Sequence, residues 1–380
     1  MAEEAAKQAE SFNMQDLSNV AWAFAVSAPA GCGAAPGPRL ALLHALAGVA
    51  TRRLLAFATD LPRARLAELR VEITGTVWAL RFAGLLGADL LAAARRSLQR
   101  IGRALDADST APSALSGALS GGGAPGEPQV ALELPDRLVV HKPPDWRVDQ
   151  GEEDGGVDDA ESSQAPDARR LSRHLQSLLP VRCWPIASDA SCGHGFLHRL
   201  DVPSSGLILV AKTYEAHCDL SLQLSAGELA RDYLVLCHGW LPPSRCEIDA
   251  PVHWSAVSTM RSQVLGDVGK PSRTGVEVLA HALCAGVAVS LAAVRIASGR
   301  RHQIRVHTAH VGHSTVCDGR YAGTATCSED RGWCARNFVH RHRLAFFDGR
   351  GYPSEAGAPL PADLAPALAH LDPREPASLE

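Results

Sequence analysis

Apolar and polar positions change their rhythm once along this chain. From the start to about residue 108 the spacing is helical. In FNMQDLSNVAWAFAVSA, Leu17, Val20, Ala21 and Phe24 fall on one helical face, with Asp16 or Ser18 as candidate caps at its start. VEITGTVWALRFAGL repeats the pattern weakly, setting Ile73, Val77, Trp78, Ala79 and Leu80 against Leu17, Ala21, Trp22, Ala23 and Phe24. LGADLLAAARRSLQRIGRAL follows, with Leu91, Leu98, Ile101 and Leu105 in one stripe and arginines opposite. Repeated helix pairs of this kind fit a short solenoid, and equally a single small bundle.

Residues 109–129, STAPSALSGALSGGGAPGEPQ, are rich in Ser, Gly, Pro and Ala and read as a flexible linker between domains. Beyond them the period shortens. DRLVVHKPPDWRV predicts a short strand and a Pro-Pro turn, and ARRLSRHLQSLLP an amphipathic helix ended by Pro180. Leu207–Ala211 and RDYLVLCHGWL are further strands. GVAVSLAAVRIASGRRHQIRVHTAHVGH predicts a strand, a Ser-Gly-Arg-Arg turn and a helix closed by Gly312. Strands and helices alternate irregularly, so the expected class is α+β. The organisation read from these patterns is a helical region over 1–108, a linker over 109–129, a second domain over 130–350, and a loose tail over 351–380.

Composition sets the class and little more. Formal net charge is −4, with 46% hydrophobic and 21% charged residues, which suits a globular protein and gives no bulk attraction for nucleic acid. The charge is unevenly placed, however. Residues 149–167 carry eight acids and no Lys or Arg, and read as a disordered surface insertion. Residues 295–313 carry four Arg, four His and no acid, a segment able to take phosphate. Ten Cys without a Cys-x-x-Cys pair argue for reduced thiols inside a cell, and against a disulfide framework or a zinc site. No apolar run approaches the roughly 18 residues of a membrane span. The opening MAEEAAKQAE is acidic, which fits neither a secretory signal nor an ordinary transit peptide. Cytoplasm, plastid and mitochondrion all stay open.

The candidate chemistry lies in three separate places. GFLHRLDVPSSGLILVAKT puts His198, Arg199 and Asp201 at the mouth of an apolar strand. Tyr233 stands in a strand two residues after Arg231. Arg300, Arg301 and Arg305 lie at or in the start of a helix, where Arg301 and Arg305, four apart, share a face. Such a helix start is a phosphate or carboxylate site. An Arg beside Asp201 would hold it ionised, as a nucleophile or a general base. Taken alone, an Asp–Arg pair is more often a structural ion pair, and a strand Tyr such as Tyr233 is more often packing. No Gly-rich phosphate loop and no metal-spaced ligand set is present, so neither a nucleotide cofactor nor a metal is implied.

These residues match a known pattern. GFLHRLDVPSSGL resembles the signature of the RluA-type RNA pseudouridine synthases. In the same order as in that family, LVVHKPPDWRV resembles its upstream strand and Lys-Pro turn, and ARDYLVLCHG its strand with a Lys or Arg, any residue, then Tyr. ASGRRHQIRVHTAHVGHSTVCDGRYAG resembles its Gly-Arg-x-His-Gln-Ile-Arg block and the Gly-Asp element after it, and HRHRLAF its closing strand. The likeness runs over about residues 130–347. It implies a mixed, mostly antiparallel sheet with flanking helices and isomerisation of uridine within RNA, without a cofactor and with a monomeric enzyme. Asp201 matches the catalytic aspartate, thought to attack the ribose anomeric carbon of the extruded nucleotide, after which the uracil rejoins through carbon five. Tyr233 matches the tyrosine against the base, Arg305 the arginine paired with the aspartate, and Arg199 the arginine that enters the stack. His198, Arg300, Arg301, His302 and Gln303 complete the expected RNA-binding set.

Some positions depart from the family. Cys317 stands where Gly is usual, at a position where Gly would serve a positive φ. Arg231 replaces the commoner Lys, Val202 and Pro203 replace polar residues, and the acidic insertion is extra. The amino-terminal copies resemble octotricopeptide-type helical repeats, which implies an added RNA surface; a decayed helical cap is the other reading. The RNA itself, ribosomal, transfer or messenger, is not specified. The competing function is a catalytically silent RNA-binding protein that keeps the fold. A carboxylate hydrolase fits less well, since no second carboxylate stands near Asp201.

Overall fold

A computed structural model describes residues 2–26, 37–58, 60–107, 126–149, 169–254, 261–266 and 268–374. Five helices open it: α1 (Ala2–Gln8), α2 (Met14–Val26), α3 (Pro38–Leu55), α4 (Arg63–Phe82) and α5 (Ala88–Asp106). Neither Asp16 nor Ser18 caps α2. Asn13 does, accepting from the Asp16 N–H at 2.9 Å while Asp16 accepts from the Asn13 N–H at 3.0 Å, a reciprocal box that starts the helix earlier than expected. Helix α2 packs against α4, and α5 packs against both α3 and α4. Leu17, Ala21, Ile73 and Val77, matched in the sequence, are all fully buried. The linker residues 109–125 and the acidic residues 150–167 lie outside the described residues.

The second region is a mixed sheet with flanking helices. In chain order it runs β1 (Gln129–Glu133), β2 (Arg137–Lys142), α6 (Leu171–Leu178), β3 (Ser205–Ala211), α7 (Tyr214–Ala226) and β4 (Ala230–His238). Then come β5 (Glu247–Asp249), β6 (Val252–His253), β7 (Gln263–Val264), β8 (Arg273–Cys284), β9 (Val287–Ile296), α8 (Gln303–His310) and α9 (Thr324–Asp330). Last are β10 (Val339–Phe347), β11 (Pro353–Gly357), α10 (Ala365–Leu368) and β12 (Asp372–Pro373). The sheet order is β1-β2-β3-β10-β4-β9-β8-β12, with β11 on β10 and β5 on β8. Among the named strands only β3 and β10 pair in parallel; the other strand pairings are antiparallel.

The apolar run of β3 reflects cover on both faces. Leu207, Leu209 and Ala211 enter one core with α7 and the amino-terminal helices, while Ile208 and Val210 enter the other with Tyr233 and Val235. Gly206 is what lets β3 meet β10. Its φ is +125°, and a Cβ there would overlap the backbone of Arg341.

The helical region is not separate from the sheet. One core runs through α2–α5, α7, β3 and β10. Asp106 at the end of α5 accepts the N–H groups of Tyr214 and Glu215, both at 2.9 Å, and so caps α7 from another element. Arg70 of α4 reaches His217 of α7 at 2.7 Å. At Gly102, α5 touches α7 backbone to backbone, and a Cβ would overlap the Cα of Glu215. Gly102→Ala is therefore expected to destabilise the whole protein by about 1–3 kcal/mol. Both regions should lose urea resistance together; a lower midpoint for the helices alone would contradict the shared core.

The loose tail expected over 351–380 is also not found among the described residues; 375–380 lie outside them. Residues 353–374 form β11, α10 and β12, with Leu364, Ala367 and Leu371 buried against the β8–β9 end of the sheet. Proline and alanine mark short elements here rather than a lack of structure. Among the described residues no helix is long and apolar enough to cross a membrane.

Candidate active site

The loop between Phe196 and β3 runs into a cavity of about 280 Å³. His198, Arg199 and Asp201 line it together with Arg231 and Tyr233 from β4 and with Arg300, Arg301, His302, Gln303 and Arg305 from the turn after β9 and from α8. Three sequence-distant candidate groups thus share one space. Lys142 fixes the floor of the loop. Its buried ammonium donates to the carbonyls of Pro143, Trp146 and Val202 at 3.0, 2.9 and 3.1 Å, which uses all three of its protons. Burial lowers its pKa to about 7.

Asp201 faces a cation that is already claimed. Arg305 gives Nε and Nη2 to Asp318 at 2.8 and 2.7 Å, and only Nη1, at 3.4 Å, to Asp201. The fork belongs to Asp318, which also accepts the N–H groups of Arg320 and Tyr321. Burial pushes the Asp201 carboxyl up, but His302, Arg305 and Arg199 outweigh it and the net shift is downward. Burial drives His302 down to about 4, so near neutral pH it is uncharged and the arginines hold the aspartate ionised. The carboxylate is therefore charged without being tightly paired, and its lone pairs stay available.

Tyr233 is buried in β4, with the Arg341 guanidinium 4.8 Å from its ring centre and donating to its hydroxyl oxygen. That leaves the phenolic proton free to donate elsewhere. Arg341 also donates to Nδ1 of His198 at 2.7 Å. An arginine cannot accept, so the His198 proton sits on Nε2, which has no partner among the described residues.

Two expectations are corrected. Arg301 and Arg305 do not share a helical face, because α8 starts at Gln303 behind His302, whose φ is +54°. Arg301 lies in the turn, its guanidinium 4.9 Å from the ring centre of Trp254. Gln303 is not available to RNA. Its oxygen accepts from Ser298 and the Arg300 N–H, and its nitrogen donates to the Arg273 carbonyl and Thr274, so all four valences are filled inside the protein. It holds the turn that presents the arginines.

Cys317 has a φ of +56°, so the backbone there does take the conformation for which Gly is suited. Its N–H is donated to Asp330 at 2.7 Å, which anchors a strained residue. Sequence reasoning did not single out Lys142, Asp318, Arg341 or Trp78 as site residues. A lysine inside an apolar strand was a signal for the first, and the Asp beside Cys317 in the Gly-Asp element for the second. Arg341 lies in a stretch that reads as ordinary alternation.

Several buried histidines titrate low. Burial sets His302, His307 and His340 at about 4 and His217 at about 3. In the unfolded chain each would protonate near 6.5. As pH falls from 6.5 towards 4 the unfolded state gains protons that the native state refuses, so stability falls, by about 1.4 kcal/mol per pH unit per histidine. The lowered carboxyls of Asp201, Asp232 and Asp318 act in the same direction at still lower pH. The urea midpoint should fall steadily between pH 7 and pH 5; an unchanged midpoint would contradict the neutral buried histidines.

Residues 136–310 match the sequence model of a family described as RNA pseudouridylate synthase. An uncharacterized RNA pseudouridine synthase of Chloroflexus aurantiacus is 35% identical over 201 residues, 53% of this chain and 60% of that protein. Two proteins named ribosomal large subunit pseudouridine synthase D are similar as well. That of Nitrosomonas europaea is 38% identical over 131 residues, 34% of this chain and 36% of its own length. That of Yersinia pestis is 35% identical over 195 residues, 51% and 52%. The chain thus spans between about a third and three fifths of the length of these curated relatives. The solved structure of human RNA pseudouridylate synthase domain containing 1 has 27% identity and a TM-score of 0.47, covering 66% of this chain and 90% of that one.

Proposed function

We propose that this chain, whose residues 136–310 match the sequence model of the RNA pseudouridylate synthase family, isomerises uridine to pseudouridine within RNA. The observation that carries the reading is the Asp201 carboxylate, kept ionised but only loosely paired, in one cavity with Tyr233 and several arginines. A uridine stacked in RNA must be extruded before a carboxylate can reach its sugar. Arg199, half-buried at the cavity beside Asp201, would fill the gap left behind.

In the proposed reaction an Asp201 oxygen bonds to the ribose C1′ and the C1′–N1 bond breaks, its electron pair leaving with the uracil. The uracil turns, C5 bonds to C1′, and Asp201 departs with its electron pair. The proton on C5 is lost, N1 gains one, and the product is an isomer of the substrate. Tyr233, with the Arg341 guanidinium 4.8 Å from its ring centre, offers the base a stacking surface, as recognition of unpaired RNA requires. His198 Nε2–H and the Tyr233 hydroxyl are the buried donors for the uracil carbonyls.

The test is pseudouridine mapping of total RNA, by carbodiimide-dependent reverse-transcription stops, in cells with and without the gene. Sites lost on deletion and restored by the wild-type chain would support the reading and name the RNA. No lost site in any RNA pool would overturn it.

A further inference from the structure

The amino-terminal helices reach the cavity itself. Trp78 of α4 lines it beside Arg300 and Arg231. Its indole is stacked on Phe82 one turn later, with ring centres 5.2 Å apart and an angle of 14°. The guanidinium of Arg300 lies 5.4 Å from the Trp78 ring centre, and that of Arg273 4.8 Å from the Phe82 ring centre. Cation, ring, ring and cation form one ledge that runs from the cavity along α4. Trp78, Arg81 and Phe82 are each half-buried, so the ledge is neither core nor loose surface.

The charge at this ledge is not balanced from within. Arg273 has Asp249 at 3.0 Å. Among the described residues, Arg81, Arg231 and Arg300 have no carboxylate partner. Arg300 reaches only the carbonyl of Pro271, at 3.4 and 3.3 Å. Arg231 is buried, donates only to the Ile296 carbonyl, at 3.2 Å, and leaves its Nε without a partner. Burial lowers Arg231 to about 10; Tyr233 opposes this, while Arg341, Arg81 and Arg300 add to it. A buried arginine and two half-buried ones that repel one another beside a stacking surface are a site built for an anion carrying a flat ring.

We propose that α4 completes the substrate site. The ledge of Trp78 and Arg300 stacks the base of an unpaired nucleotide next to the target uridine, and Arg81 and Arg300 hold the phosphate joining the two. This rests on the RNA reading of the cavity. It gives the helical region a defined task at the catalytic centre, and it explains why α5 is fixed to α7 through the Gly102 contact and the Asp106 cap, and α4 through Arg70 and His217. A mobile helical domain could not keep an indole on the wall of the cavity.

The test measures binding by fluorescence anisotropy of a labelled twelve-nucleotide oligouridylate, alongside an abasic ribose-phosphate chain of equal length. Trp78→Ala is expected to weaken oligouridylate binding roughly ten- to a hundred-fold and to leave the abasic chain unaffected. Trp78→Phe should recover most of the loss, which a collapse of the helix would not allow. Arg81→Gln should weaken both chains and flatten the salt dependence. Equal binding by Trp78→Ala and wild type, or equal loss on both chains, would overturn the proposal. The two readings separate cleanly. If wild type makes pseudouridine while Trp78→Ala keeps its KM, the ledge is wrong and the isomerase stands. If RNA affinity depends on Trp78 but no RNA is modified, the reverse holds.

Discussion

Asp201→Asn is expected to remove isomerisation, by roughly 10³-fold or more, while RNA affinity stays near that of the wild type. The amide keeps the size of the side chain and loses the attacking oxygen. The site should not collapse around it, because the Asp201–Arg305 contact is long and the guanidinium is fixed by two short bonds to Asp318. The positive charge facing the RNA then rises by one, which favours binding if it changes it at all. Product formation under single turnover and anisotropy with the same RNA give both numbers. Turnover near the wild-type rate would mean that another group attacks the ribose. Loss of RNA binding along with activity would mean that Asp201 holds the fold rather than the reaction.

Much of this site is legible in the sequence, and the remainder depends on strand order. The run Leu207–Ala211 reads directly as a strand covered on both faces, and Asp201 at its mouth as a charged group at a strand end. Tyr233 and Arg305 are recognisable from their motifs. Arg341 is not, because VHRHRLAFF alternates like a half-exposed strand. Once β10 is inserted between β3 and β4, both of its faces are internal, and Arg341 becomes a buried hub that bonds His198, Tyr233 and the Arg199 carbonyl. Periodicity records which residues share a face and says nothing of what a neighbouring strand puts against that face. The same limit applies to the helical region. Its helices follow from spacing, but the Gly-Ser-Pro linker implies independence, whereas Gly102 and Asp106 join α5 to α7 across more than a hundred residues. Trp78 reads as one position in a weak repeat and gains a role only when α4 is docked on the cavity.

Asp318→Asn should strike stability and chemistry together, by one cause. Asp318 is fully buried, and its two oxygens accept Nε and Nη2 of Arg305, the Thr315 hydroxyl and two backbone N–H groups. Asn keeps one accepting oxygen and turns an NH₂ towards the guanidinium or the backbone donors, so a buried cation loses its counter-charge. Breaking a buried pair from one side costs about 3–5 kcal/mol, read as a lower urea midpoint. Burial then favours neutralising Arg305 by the one other carboxylate it contacts among the described residues, Asp201. That contact should shorten from its loose 3.4 Å and tie up the oxygen that attacks the ribose, so kcat falls while KM for RNA holds. Removing the cation as well, in Asp318→Asn with Arg305→Met, should restore much of the stability and little of the activity, because Arg199 is then the one arginine left to set against the burial of Asp201. An unchanged midpoint in Asp318→Asn would mean that Arg305 does not need its fork. Recovered activity in the double variant would mean that Asp201 does not depend on Arg305 for its charge.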